Sequence, residues 1–599
     1  MKKFLLYSVA LLTSASMITS CLGDLDAEPM ADTTITADKA FEKPESYDQY
    51  VNYAYSYFSL VSQGDPGSSD IAVSDAGQSE FTRQYMFLNE LSADGLKCIW
   101  GDDYVDGLQY NKWTTTNAAV MAVYLRGLKG VAICNQFLDE SVSGDGAVTG
   151  RGHESKLSDV RAYRSEMRLL RAIYYEILLD LYGNPPLVLP ENIGSTNFPQ
   201  QLGREGLFAW VENELLELTK DEYLPAQRVA YPRLSKGAAW AVLARLYLNA
   251  EVYTGTARWA DAKDAAEKVI TEGGYELCPE YANLFRQDNS TNGAQKEFIV
   301  ASIYDAQTTQ SWGGTTHLLY AVVNSDLRTT VSSMFGFSSD IYKNQWNGYH
   351  VSDEFVQENF ALQGVEWGQS DSWGYDREAN DKRAMFTNAG FSQQFENEVS
   401  DITTGWACIK WVPLTSDNRP NLIELDIEFS SADFPIFRLA EMYLISAEAE
   451  ARLNGGTLTS TSNGYNRIAE LRERANGEAD MPLTIDLEYI LKERTRELYW
   501  EGHRRVDLIR YGYFTSASYP WPYKGGIEAG TVALSDHLKV FPIITTDLIF
   551  GIDIGSIVHH LITRYIVRGR ECSFDLYPNQ LGLRYKIDFC SSLHNLLTL

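Results

Sequence analysis

The chain has 599 residues, with 80 Asp and Glu against 51 Lys and Arg and a formal charge of -29. An acidic excess of this size repels phosphate backbones and anionic headgroups, so nucleic acid is excluded as a partner and neutral or cationic ligands are favoured. Seven cysteines, Cys21, Cys98, Cys134, Cys278, Cys408, Cys572 and Cys590, are widely spaced without a CxxC pair, which argues against a disulfide scaffold.

The first residues read as an export address. Lys2 and Lys3 precede an apolar run from Phe4 to Leu12, and small residues follow through Ser20. That order is a signal peptide over residues 1–20. Ile18-Thr19-Ser20-Cys21 resembles a bacterial lipoprotein box, so acylation of the Cys21 thiol is expected, with residues 21–38 as a polar tether. Acyl chains hold a protein on a membrane because each buried methylene contributes about 0.8 kcal/mol. No later stretch approaches the roughly 18 uninterrupted apolar residues of a spanning helix, so the body is expected to be anchored without spanning.

Helical patterns begin near Phe41 to Leu60 and recur near Asn117 to Leu138. In Ser165 to Leu181, residues Leu170, Ile173, Tyr174, Ile177, Leu178 and Leu181 form one stripe at helical spacing. Gly183-Asn184-Pro185-Pro186 stops that helix, because proline lacks an amide donor and restricts the residue before it. Trp240, Leu243, Ala244 and Tyr247 have the spacing of a tetratricopeptide helix, with Ala262 and Ala266 on its partner across a long turn from Val252 to Arg258.

From Tyr275 to Phe434 the helical period is lost and Gly, Asn, Ser and short β-like runs such as Phe298-Ile299-Val300 appear. Holding Trp312, Trp346, Trp367, Trp373, Trp406 and Trp411, this stretch is too long and too aromatic to be a linker and is the expected seat of binding. A third helix pair covers Phe437 to Leu453 and Tyr465 to Ala475, and a fourth covers Leu487 to Arg510. Glu493, Glu497 and Glu501 lie at i, i+4 steps beside Arg494 and Arg504, with Asp507 three residues after Arg504, and are expected to lace helices together rather than bind ligand. The fold class is therefore mainly α, an α-solenoid of about four tetratricopeptide-like helix pairs with a large irregular insertion containing short strands. Its parts are 39–274 and 435–543 for the helical pairs and 275–434 for the insertion.

Five segments then carry a resemblance: Met167–Tyr175 (MRLLRAIYY), Leu181–Val188 (LYGNPPLV), Arg438–Ala449 (RLAEMYLISAEA), Glu493–Leu498 (ERTREL) and Glu501–Gly512 (EGHRRVDLIRYG). Together they resemble the SusD/RagB family over Cys21 to Ile543. The resemblance implies an outer-membrane, surface-exposed lipoprotein that caps a SusC-like TonB-dependent transporter and captures glycan, without cofactor or catalysis. Capture of peptides, as in RagB-like proteins, is the alternative within the class, and a secreted glycoside hydrolase is the alternative outside it. His537-Leu538-Lys539-Val540-Phe541-Pro542-Ile543 fits the family ending, but Ile544 stands where a proline is expected. The tail 544–599, with His559, His560, His594, Cys572 and Cys590, loses the acidic bias and reads as a frame change or an unrelated extension.

The chain has no G-x-S-x-G elbow, P-loop, H-E-x-x-H pair or G-x-G-x-x-G turn. Asp102 and Asp103 are sequence neighbours, whereas glycoside hydrolysis needs carboxyls about 5 to 9 Å apart across a sugar cleft. Asp288, Ser290, Asn292 and Gly293 imitate a calcium loop, but Ile299 occupies the position of its bidentate carboxylate, so a turn is expected and no metal site is assigned. Adjacent His559 and His560 point apart and are set aside. Sugar is bound by flat aromatic faces flanked by polar groups. The candidates are Trp100 with Asp102, Asp103 and Tyr104, and Tyr304 with Trp312 and Tyr320, in the parts of the chain where the resemblance places ligand contacts.

Overall fold

The computed structural model describes residues 37–62, 64–73, 77–142, 147–193, 199–360, 381–388, 404–476, 481–521 and 533–544. The signal peptide, Cys21, the tether through residue 36, Trp367, Trp373 and the tail beyond Ile544 lie outside the described residues.

The molecule is mainly helical, as its periodicity predicts. The striped segment is a helix from Leu157 to Tyr182, and its stripe residues are all buried. It begins at Leu157, before Ser165, in largely polar turns that the stripe does not reach. Gly183 ends it at φ 79°, a conformation that glycine adopts without steric penalty. Ala118–Glu140 packs against it and is long and apolar enough to pass for a membrane span, yet most of it is buried in the core. Gly130 permits the contact, since a Cβ there would lie 2.3 Å from the Tyr174 ring.

Lys236–Leu248 and Trp259–Glu272 form the expected pair, with Ala244, Ala262 and Ala266 fully buried where the backbones approach. The turn between them holds a short helix, Ala250–Thr254, closed by Gly255 at φ 73°. Trp259–Glu272 also packs on Leu439–Leu453, so two pairs separated by the insertion are spatial neighbours. Arg245 clamps this junction through two hydrogen bonds to Glu441, at 2.7 and 2.6 Å, and one to the Ile436 carbonyl at 2.7 Å.

One boundary is corrected here. Phe437 is not helical: Phe434–Arg438 is a strand, antiparallel to Phe298–Ser302, and the helix starts at Leu439. The fourth pair is present as Leu487–Leu498 and Arg504–Arg510, with Trp500 and Gly502 turning the chain between them at φ 59° and 83°.

The charged cluster is structural, as expected, and its partners come from several elements rather than from one helix face. Glu497 is fully buried and accepts from Arg438 at 2.6 Å, from Arg383 at 3.3 Å and from Arg474. Arg438 forks onto Glu501 at 2.6 and 2.9 Å, and Lys410 reaches the same carboxylate at 2.7 Å. Arg504 pairs with Asp94 rather than Asp507, which instead holds Arg494 and Arg510. Buried charges need partners from every side, and only neighbouring elements supply them.

The insertion contributes the helices Gly314–Tyr320, Ser325–Met334 and Asp353–Phe360 and several two-residue strands. It is woven into the N-terminal part: Tyr349–His350 pairs antiparallel with Lys97–Cys98. Asp288 makes the expected turn, its carboxylate receiving Asn292 and Ser416. Cys98, Cys134, Cys278 and Cys408 are buried free thiols.

Candidate functional site

Glu80 begins the site. It N-caps the Phe81–Met86 helix, accepting the Arg83 amide at 2.6 Å, and this fixes Arg83 on the first turn. The helix continues as a π-turn over Phe87–Leu91. The Arg83 guanidinium lies 5.9 Å from the Phe87 ring and 5.6 Å from the Trp100 ring, and it donates to the Tyr104 hydroxyl at 3.4 Å.

Just past the Lys97–Cys98 strand, Trp100 is half-buried and its indole Nε1 donates to the Asn347 carbonyl at 3.1 Å. Asp102 is the N-cap residue of Asp103–Gln109, and both aspartates are exposed there, where the positive helix end favours them. Tyr104, on the first turn, is buried beneath them.

The insertion supplies the other arm. Tyr304 is 4 % exposed, and its hydroxyl donates to Glu80 Oε1 at 2.6 Å. Burial, then the Glu80 charge, pushes that phenol well above its ordinary range. The second Glu80 oxygen takes the Gly314 amide at 2.8 Å, which places Trp312 just before the Gly314–Tyr320 helix. Trp312 is half-buried, with Phe429 at 4.6 Å and Trp346 at 6.1 Å between ring centroids. Tyr320 is buried below, its hydroxyl on the Glu428 carbonyl at 2.8 Å and its ring 5.6 Å from Trp346.

His317 joins the arms. Its ring lies 5.7 Å from Trp100 and 6.0 Å from Trp346, and Nε2 is 2.6 Å from the Tyr349 hydroxyl. Burial, then the Arg83 charge, holds its pKa well below the usual histidine range, so it is a neutral spacer at physiological pH.

The structure thus brings Trp100 and Trp312 into one aromatic row through His317 and Trp346, with Asp102 and Asp103 exposed beside Trp100. Tyr104, Tyr304 and Tyr320 are buried, and of the three only Tyr320 has a ring contact to the row, at Trp346. Arg83, His317, Tyr349 and Phe429 are not among the residues the sequence singles out, and Trp346 enters there only as one of the insertion's tryptophans. A signal existed for Trp346: like Trp100 and Trp312 it stands beside glycine and polar residues, in Trp346-Asn347-Gly348.

Paired helices of tetratricopeptide type with an aromatic row shared between the N-terminal part and an irregular insertion define the class. The profile of the SusD family matches residues 271–542. The starch-binding protein SusD of Bacteroides thetaiotaomicron is 32% identical over 579 residues, covering 91% of this chain and 96% of that protein. Two solved structures share the fold. Surface glycan-binding protein A of Bacteroides uniformis has a TM-score of 0.59 at 18% identity, covering 84% of this chain and 97% of that one. Surface glycan-binding protein A of Bacteroides thetaiotaomicron, solved with laminarihexaose, has a TM-score of 0.57 at 18% identity, with the same coverage. The chain belongs to the SusD family.

Proposed function

We propose that this protein captures a glycan on the row formed by Trp100, Trp346 and Trp312 and delivers it to a SusC-like TonB-dependent transporter in the outer membrane, to which Cys21 anchors it. The observation that carries the reading is the row itself: half-buried Trp100, Trp346 and Trp312, from separate parts of the chain, follow one another ring to ring through His317. Indole faces attract the polarised C–H groups of a pyranose, while Asp102, Asp103 and Arg83 offer acceptors and donors for hydroxyls. Similarity to the starch-binding protein supports a carbohydrate ligand. The process is capture without bond breaking.

The test is affinity electrophoresis and calorimetry of the acyl-free protein against a polysaccharide panel and peptide pools, with release of reducing ends assayed in parallel. Retention by a polysaccharide without release is expected. Binding to peptides alone would replace glycan by peptide as the cargo, and release of reducing ends would replace capture by hydrolysis.

A further inference from the structure

Trp100 comes from the N-terminal part and Trp346 from the insertion, so something must fix their spacing. The loop carrying Trp346 is nailed to the end of the Gly314–Tyr320 helix: the amides of Trp346, Asn347, Gly348 and Tyr349 donate to the carbonyls of Tyr320, Val323, Ala321 and Ala321 at 3.0, 3.0, 2.7 and 2.9 Å. Asn347 takes a left-handed conformation, φ 44°, within this anchored turn. The Gly348 carbonyl accepts the Ile99 amide at 2.9 Å, directly before Trp100.

The Trp100 indole then lies against Gly348. A Cβ at position 348 would stand 2.3 Å from Cε2, 2.4 Å from Nε1 and 2.7 Å from Cζ2 of Trp100. No side-chain carbon occurs that close to an aromatic ring, so any residue other than glycine displaces the indole or the anchored loop. The hydrogen bond from Trp100 Nε1 to the Asn347 carbonyl depends on the same approach.

We propose that Gly348 is a positioning residue for ligand capture: its missing side chain seats Trp100 against the Asn347–Gly348 peptide and thereby sets the spacing of Trp100 from Trp346. This rests on the reading of the aromatic row as the glycan face.

Gly348→Ala, Trp100→Ala and the double variant are compared with the parent protein. With ¹⁵N-labelled tryptophan, the Trp100 indole resonance is assigned by its loss in Trp100→Ala. Its solvent exchange is expected to be about tenfold faster in Gly348→Ala, because the clash breaks its hydrogen bond. Affinity for soluble starch is expected to fall about tenfold or more in Gly348→Ala, as for removal of a central aromatic anchor, and Gly348→Ala is expected to be silent in the Trp100→Ala background.

An unchanged indole resonance, or an equal loss of affinity in both backgrounds, overturns the positioning role while leaving the glycan face standing. Trp100→Ala that holds starch as the parent does overturns the glycan-face reading itself. Where Gly348→Ala fails to fold, the double variant must fold, since removing the indole vacates the space. Misfolding of both overturns the proposal.

Discussion

The hydroxyl of Tyr304 donates a 2.6 Å hydrogen bond to Glu80 Oε1 across 224 residues of sequence. The other oxygen of the same carboxylate caps Arg83 and holds Gly314. One fully buried side chain therefore ties the arm that bears Arg83 to the arm that bears Trp312.

Tyr304→Phe removes one of these bonds and leaves Glu80 its amide donors, so a loss of about 1–2 kcal/mol in denaturant unfolding is expected. Glu80→Ala strands the Tyr304 hydroxyl and both amides and is expected to cost about 3–5 kcal/mol, with starch retention falling as the arms separate. Equal costs for the two variants would contradict a shared hub.

Trp346→Ala is expected to weaken glycan binding about tenfold or more, as for Trp100→Ala and Trp312→Ala, because each removes an aromatic anchor from one row. Trp100→Ala combined with Trp312→Ala should abolish retention while the circular dichroism spectrum is kept. Trp240, half-buried on the helical pairs, serves as the control: Trp240→Ala should lower stability and leave affinity unchanged in calorimetry.

Stability should fall between pH 6 and pH 8.5. Burial raises Glu90 to about 7, Asp433 to about 7 and Glu176 to about 8, the last against the opposing charge of Arg245. A carboxyl with a raised folded pKa stabilises fully below its unfolded value and loses that contribution as pH rises through the folded value, about 1.4 kcal/mol per unit of displacement. Glu176→Gln should flatten this slope in urea unfolding measured at the two pH values. Glu493 acts in the opposite sense: burial pushes it up, but Arg383, Arg496 and Arg472 outweigh burial and hold it at about 2. Its contribution is present above its ordinary value of 4.5 and is lost as pH falls toward 2.

Glu497→Ala is expected to cost about 3–5 kcal/mol, since it leaves Arg438, Arg474 and Arg383 buried with a partner missing. Added salt should change this cost little, because screening ions do not enter the site. Protein that remains folded should hold starch as the parent does, which calorimetry at low temperature would check.

Much of the scaffold was legible because helical periodicity is local. The stripe from Leu170 to Leu181, the small residues Ala244, Ala262 and Ala266, and the stop at Gly183 each follow from neighbours within a few turns. The misread boundary at Phe437 was not local: that residue is in a strand because Phe298–Ser302, far back in the chain, pairs with it. The same holds for Arg504, whose partner Asp94 no i, i+3 rule could supply.

By itself the sequence determined the helical-pair architecture, the acidic surface and the tryptophans set beside glycine, since each depends on composition or short-range spacing. Tertiary structure alone decided which of those tryptophans meet. Trp100, Trp312 and Trp346 join one row because Glu80, His317 and the Trp346–Tyr349 loop close contacts over hundreds of residues. It also decided that Tyr304 and Tyr320 are buried, because burial is fixed by the elements that pack over a residue and not by its neighbours in sequence.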